Sequence, residues 1–165
     1  MTETEIELWD SMLDAKMNVE YWRLIVNRYD WWDMAFKIIL AILSSASVAG
    51  FHIWKKDGVL NWSLGWSILT GLGAIVGVAL PFLKFDEIAR TAAELRGKWC
   101  QIENDYNKLW LKRNAIKETT LQTYLADLKK QQTEKTSEES TMPQSKPLLK
   151  QAYNDVCQSM GLTQD

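Results

Sequence analysis

The chain has 165 residues, a formal net charge of -2 and a mean hydropathy of -0.23, values that suit one domain and exclude a strongly basic nucleic-acid binder. Its two cysteines, Cys100 and Cys157, lie too far apart in sequence to suggest a zinc site or a disulfide framework. The mean conceals a strongly apolar middle between two polar arms.

The first arm, residues 1–33, opens with MTETEIELWD, acidic where a signal peptide would be basic. Thr2 with Glu5, or Thr4 with Glu7, offers a capping box. Ile6, Trp9, Leu13, Met17, Tyr21, Leu24 and Trp31 then recur at mostly three- and four-residue steps, which predicts an amphipathic helix.

Two apolar runs follow. Residues 34–54 hold one lysine, Lys37, near the start and one histidine, His52, near the end, and residues 62–83 carry no charge at all. Each is long enough for a hydrocarbon layer of about 30 Å. Trp31, Trp32, Trp54, Trp62 and Trp66 fall at the ends of the runs, where a bilayer favours indole rings. A buried soluble hairpin would need further apolar segments to enclose it, and none is present. The expectation is therefore two transmembrane helices joined by a periplasmic turn at 55–61. Lysine and arginine are denser on the arms (Arg23, Arg28, Lys37, then Lys84, Arg90, Arg96, Lys98) than in the turn, which holds only Lys55 and Lys56. Both termini are accordingly expected in the cytoplasm of a bacterial cell, beneath the inner membrane.

Small residues mark the spans. Gly73 and Gly77 form a GxxxG pair, and the first span carries Ala41-Ser45-Ala49 and Ala46-Gly50. In lipid such stripes permit close backbone approach. They can serve the hairpin itself or contacts between copies, and a homo-oligomer is expected. If the chain turns near Asp57-Gly58, residues whose numbers add to about 116 face one another across an antiparallel pair of helices that rise about 1.5 Å per residue. That register sets Met17 near Trp99, Leu24 near Ala92 and Trp9 near Leu109 to Trp110. Within the spans it sets Gly73 near Leu43 and Gly77 near Ile39.

The second arm, 84–130, reads as one long cytosolic helix with a heptad stripe of Ile88, Ala92, Leu95, Trp99, Ile102, Tyr106, Leu109 and Ile116, interrupted at Arg113 and continued on a shifted face by Leu121, Leu125 and Leu128. The stripe reads as packing. Residues 131–147 are polar, lack aromatics and contain Pro143 and Pro147, a composition that predicts a disordered linker. The segment 148–162 predicts a short amphipathic helix with Leu149, Ala152 or Tyr153, Val156 and Met160 on one face and Gly161 as its C-cap. It docks either on this chain's own arms or on a cytosolic regulatory partner. The fold class expected is thus an all-α membrane protein, a long antiparallel hairpin with helical arms.

No nucleophile elbow, phosphate loop or metal-ligand spacing is present, so neither an enzyme nor a cofactor is expected. The arrangement of "YWRLIVNRYDWWD", two closely spaced spans, "ALPFLKF" at the exit and "LRGKWCQIENDYNKLW" in the long helix resembles the SLATT class, small bacterial two-transmembrane effector proteins associated with conflict systems. The resemblance covers roughly residues 5 to 125 and departs from the class at the tethered C-terminal helix. It implies an anti-phage effector that oligomerises in the inner membrane and disrupts it when a partner releases it. The alternative is a non-toxic anchor that recruits a soluble partner. A holin fits less well, since more than half of this chain lies outside the spans.

Overall fold

The computed structural model describes residues 1–54, 71–78, 82–139, 142 and 144–162, and the side chains of all of these except 45–54, 135, 138 and 139. All regular structure among them is helical: α1 (Glu3–Trp54), α2 (Phe85–Lys112), a 3-10 turn (Arg113–Ala115), α3 (Glu118–Glu139) and α4 (Lys146–Ser159). Residues 71–78 are helical as well. The chain divides into two units, one formed by Met1–Asn27 with Ile88–Asp165, the other by Arg28–Glu87.

In the first unit α1 begins with a capping box. The Thr2 amide donates to Glu5 Oε2 at 2.9 Å and the Glu5 amide donates to Thr2 Oγ1 at 3.3 Å, so two orphan donors of the first turn are satisfied. No boundary separates the first arm from the following run, because α1 is one helix of 52 residues. Its first-turn acids Glu3 and Glu5 suit the positive end of the helix dipole.

The face that α1 buries differs from the expected stripe. Thr4, Leu8, Ser11, Met12, Ala15, Tyr21, Trp22 and Ile25 are buried, whereas Ile6 is half exposed and Trp9, Leu13, Met17 and Leu24 are only partly covered. Thr4, Leu8, Ser11, Ala15, Trp22 and Ile25 keep a heptad rhythm, but several of them are small or polar. Small residues are needed there because α2 brings large ones. On α2, Ala89, Ala92, Leu95, Trp99, Ile102, Tyr106 and Leu109 are buried, with Trp99 and Tyr106 among the largest fully enclosed side chains. An interior packed to crystal density alternates large against small.

α2 runs antiparallel to α1, as the pairs Trp9–Trp110 (ring centroids 5.1 Å apart) and Glu5–Arg113 (3.7 Å) show. The expected single helix over 84–130 is broken. The chain tightens into the 3-10 turn at Arg113, Ile116 takes extended angles (φ -111, ψ 143), and α3 starts at Glu118. Arg113 caps the end it interrupts: its Nη1 donates to the Trp110 carbonyl at 2.9 Å while the guanidinium lies 4.1 Å from the Trp110 ring centroid. α3 then runs parallel to α1, with Thr4 Oγ1 donating to Glu118 Oε1 at 2.7 Å and Gln132 Nε2 donating to Asp14 Oδ2 at 2.5 Å. Leu121 and Leu125 close the core from this side.

The expected linker at 131–147 is also shortened, since α3 continues to Glu139 and α4 begins at Lys146. α4 ends in a Schellman turn. Gly161, at φ +67, donates to the Gln158 carbonyl at 3.2 Å and Leu162 donates to the Cys157 carbonyl at 2.9 Å. A left-handed residue is required there, and glycine meets the requirement without a Cβ clash.

In the second unit α1 packs on the segment that leads into α2. Phe85 stacks on Phe36 at 5.6 Å and lies 6.0 Å from Tyr29, one helical repeat apart on α1. Lys84 adopts φ +46 and pairs with Glu87 at 2.8 Å. Among the described residues no helix is long and apolar enough to cross a membrane. Both expected spans lie partly outside that description: the side chains of 34–54 from residue 45 onward, and residues 62–70 and 79–81 of the second. The expected turn at 55–61 and the side chain of His52 lie outside it as well.

Candidate functional site

Two surfaces carry chemistry or unpartnered apolar area, one in each unit. In the Arg28–Glu87 unit, large apolar side chains point outward from both helical segments. Trp31 (61% exposed), Ile42 (61%), Ile75 (66%), Val78 (68%) and Phe82 (80%) are joined by Trp32, Met34, Ile38, Ile39, Leu72 and Leu83. A soluble monomer rarely leaves a contiguous apolar area larger than a few hundred Å² uncovered. Trp31 and Trp32 meet edge to face at 4.9 Å, and one turn onward Asp33 accepts from Lys37 Nζ at 2.5 Å, so a charged pair and an aromatic pair stand together at one end of the apolar run.

Two glycines of this unit, Gly73 and Gly77, lie against α1, whereas Gly71 faces open space. A Cβ at Gly73 would touch Leu43 at 3.5 Å, and one at Gly77 would come within 3.8 Å of Leu40. Gly73 therefore meets the residue the hairpin register names, while Gly77 meets Leu40 rather than Ile39, which is exposed. Both glycines are occupied in packing one helix on the other. Ala41 lies on the exposed side of α1, and the side chains of Ser45, Ala46, Ala49 and Gly50 lie outside the described residues.

In the first unit a polar seam runs between α1 and α3 along a groove of about 460 Å³ lined by Asp10, Ser11, Asp14, Lys129, Gln132 and Thr133 among others. Tyr106 donates to Gln132 Oε1 at 2.8 Å, and Gln132 in turn donates to Asp14. Burial pushes the Tyr106 phenol up to about 12 against a smaller opposing hydrogen bond from Ser11. The phenol is therefore a structural donor at neutral pH. Lys129 pairs with Glu7 across the mouth of the seam. Among the described residues no group of three or more histidines, cysteines or carboxylates could hold a metal ion.

The chain matches no protein-family model, no curated protein and no solved structure.

The expected arm-packing residues differ between α2 and α1. Leu95, Trp99, Ile102, Tyr106 and Leu109 are buried, while Met17 and Leu24 are half-covered. Met17 belongs to the side of α1 that receives α4. There Leu13, Met17, Tyr153, Val156, Cys157 and Leu162 line a second groove of about 380 Å³. The Tyr21 hydroxyl accepts from the Ser145 amide at 2.9 Å, and Lys16 Nζ donates to Met160 Sδ at 3.1 Å. The short helix thus sits on this chain's own arm. Of the expected docking face, Ala152 and Val156 are buried and Met160 is half-buried, while Leu149 and Tyr153 are 43% and 45% exposed. Sequence reasoning missed Asp14 and Gln132: Gln132 is a polar residue that continues the spacing of Leu121, Leu125 and Leu128, and no local pattern marks Asp14.

Asp14 makes the seam pH-dependent. Burial, the larger cause, raises its carboxyl above the ordinary 3.8, opposed by the Gln132 hydrogen bond. A raised acid favours its protonated form in the folded state. Its contribution to stability is complete below the ordinary value and is lost as pH climbs through the raised one. Asp14→Asn, which keeps an oxygen for Gln132, is expected to raise the denaturation midpoint at neutral pH and to leave it unchanged in acid below the ordinary value. A less stable variant at neutral pH would show that the ionised carboxylate holds the seam together.

Proposed function

We propose that the Arg28–Glu87 unit is a membrane-embedded hairpin and that the protein is an inner-membrane effector of a bacterial anti-phage defence system. In this reading copies oligomerise and disrupt or depolarise the membrane once a partner releases them. The observation that carries the membrane reading is the outward apolar surface between Trp31 and Ile42 and at Leu72, Ile75, Val78, Phe82 and Leu83, for which the described residues offer no cover. Hydrocarbon is the solvent in which such a surface costs nothing, and in which the approach of Gly73 to Leu43 and of Gly77 to Leu40 would hold two helices together. The Trp31–Trp32 pair beside Asp33 and Lys37 suits the headgroup layer, where an indole N–H and an ammonium both find partners.

Leakage is a better fit than selective conduction. Apart from Lys37 and His52 at its ends, the sequence of 34–54 is uncharged, and 62–83 offers hydroxyls such as Ser63, Ser67 and Thr70 but no charged ring. The defence role rests on the resemblance to SLATT effectors, and the cytoplasmic placement of both arms rests on their excess of lysine and arginine.

Inducible expression in a bacterium loaded with a potential-sensitive dye tests the effector role. Loss of membrane potential within minutes of induction is expected from the wild-type chain. Full membrane localisation with an unchanged potential, in cells lacking its genomic neighbours, would replace the effector by a non-toxic anchor for a soluble partner.

A further inference from the structure

Asp14 stands where two grooves of the helical unit built from Met1–Asn27 and Ile88–Asp165 meet. It lines the polar groove between α1 and α3, and it also lines the groove of about 380 Å³ walled by Leu13, Met17, Tyr153, Val156, Cys157 and Leu162. Apart from Asp14, the side chains around this second groove are hydrocarbon, sulfur and one phenol ring. Tyr153 and Leu162 are 45% and 42% exposed, so an apolar body seated there would cover side chains that the fold itself leaves in water.

The carboxylate of Asp14 lacks a counter-charge. A neutral amide, that of Gln132, donates to it at 2.5 Å, and among the described side chains no ammonium or guanidinium pairs with it. Lys129, on the polar groove, is held by Glu7, and Lys16 donates to Met160 Sδ at 3.1 Å. Two positions apart on one helix, Asp14 and Lys16 do not face each other. Asp10, one turn earlier on the polar groove, adds a second negative charge instead. Burial raises the Asp14 carboxyl above the ordinary 3.8 against the Gln132 hydrogen bond, which is the cost of an anion drawn out of water without a cation beside it.

We propose that this groove binds a small hydrophobic amine, its ammonium donating to Asp14 and its apolar body lying on Met17, Tyr153 and Leu162. Asp14 and Met17 are three positions apart on α1, so their side chains leave the helix about 5–6 Å from each other. An ammonium separated by two carbons from a ring spans that distance. The volume lies at the lower end of the range for small-molecule sites, about 300–1,000 Å³, which selects a compact amine over a protein segment. The site belongs to the helical unit and is independent of the membrane reading.

Cys157 lines the groove and reports its occupancy. The full chain with Cys100→Ser is labelled by a maleimide at neutral pH in increasing phenethylamine. Phenethyl alcohol and hydrocinnamate, at equal free concentrations, are the neutral and anionic controls. The amine is expected to slow Cys157 labelling saturably, at concentrations about tenfold or more below those at which the alcohol acts, and the anion to have no effect. Asp14→Asn removes the charge at nearly constant volume and should weaken protection by the amine about tenfold or more, leaving the alcohol's effect unchanged. A chain with Cys157→Ser reports Cys100, which lies on α2 outside both grooves and whose labelling the amine should not alter. No protection by phenethylamine, equal action of amine and alcohol, protection that survives Asp14→Asn, or slowing of Cys100 as well would each overturn the proposal. The first two outcomes need no substitution at Asp14, so the test stands even if that variant fails to fold. A leucine-flanked arginine peptide that protects Cys157 where phenethylamine does not would give the groove to a protein segment and overturn the proposal equally.

Discussion

Trp99→Ala is expected to destabilise the helical bundle by about 3–5 kcal/mol, the range for removing a large aromatic from a closed core. Trp99 is among the largest fully buried side chains, and it lies mid-way along α2 between Leu95 and Ile102, which are buried with it. Such a loss is a large share of the roughly 5–15 kcal/mol that holds a domain folded. For a chain of this length it corresponds to a fall in melting temperature of roughly 6–20 °C. Thermal unfolding of the purified full chain, followed by circular dichroism, measures it. Trp31→Ala is the matched control. That tryptophan is 61% exposed, and its loss should move the melt by no more than about 0.5 kcal/mol. Equal effects from the two substitutions would mean that α2 does not pack as described.

The contrast between these two tryptophans also marks what was legible in the sequence. The α2 stripe could be read directly because every buried position there from Ala92 to Leu109 is apolar and in heptad register. The facing stripe on α1 could not, because Trp99 and Tyr106 fill space that only small partners can leave. Thr4, Ser11 and Ala15 look like surface residues to a hydrophobic template, while Trp9 and Ile6 attract it to the wrong side. Gly73 opposite Leu43 was legible because a hairpin constrains both legs by one turn. The break at Arg113 carries neither glycine nor proline. The interruption of the heptad at Arg113 was visible, but nothing in it announced that the helix would turn and run back along α1. Residues 131–139 read as linker by composition, yet Gln132 is tied to Asp14 and Tyr106, and strong helix formers carry α3 through to Glu139. The seat of α4 on this chain rather than on a partner depends on Tyr21 and Lys16, contacts between residues far apart in sequence that no local pattern encodes.

Ile42→Lys separates water from lipid on the outward face with opposite outcomes. Ile42 is 61% exposed, so in water the substitution lies within about 0.5 kcal/mol of neutral, and lysine is if anything the better helix former. In a bilayer Ile42 would stand near the middle of the 34–54 run. A lysine there costs about 2.5–3.5 kcal/mol, to which the lost isoleucine adds about 0.3–0.6 kcal/mol. At 1.36 kcal/mol per factor of ten, the insertion equilibrium shifts by a factor of roughly a hundred or more. Ile75→Lys, on an equally exposed position of the 71–78 helix, should add a similar loss, and the pair together should abolish retention in membranes after alkaline carbonate extraction. Leu111→Lys changes a still more exposed apolar side chain (79%) at the end of α2 in the other unit, and should leave extraction unchanged. The decisive comparison is therefore between exposed positions that differ only in which unit they occupy. If the doubly substituted chain stays in the membrane pellet, or if it and the wild type both purify without detergent and with equal helicity, then the apolar face of Arg28–Glu87 meets protein or water instead of lipid. An effector that acts by breaching a membrane would then have no place to act.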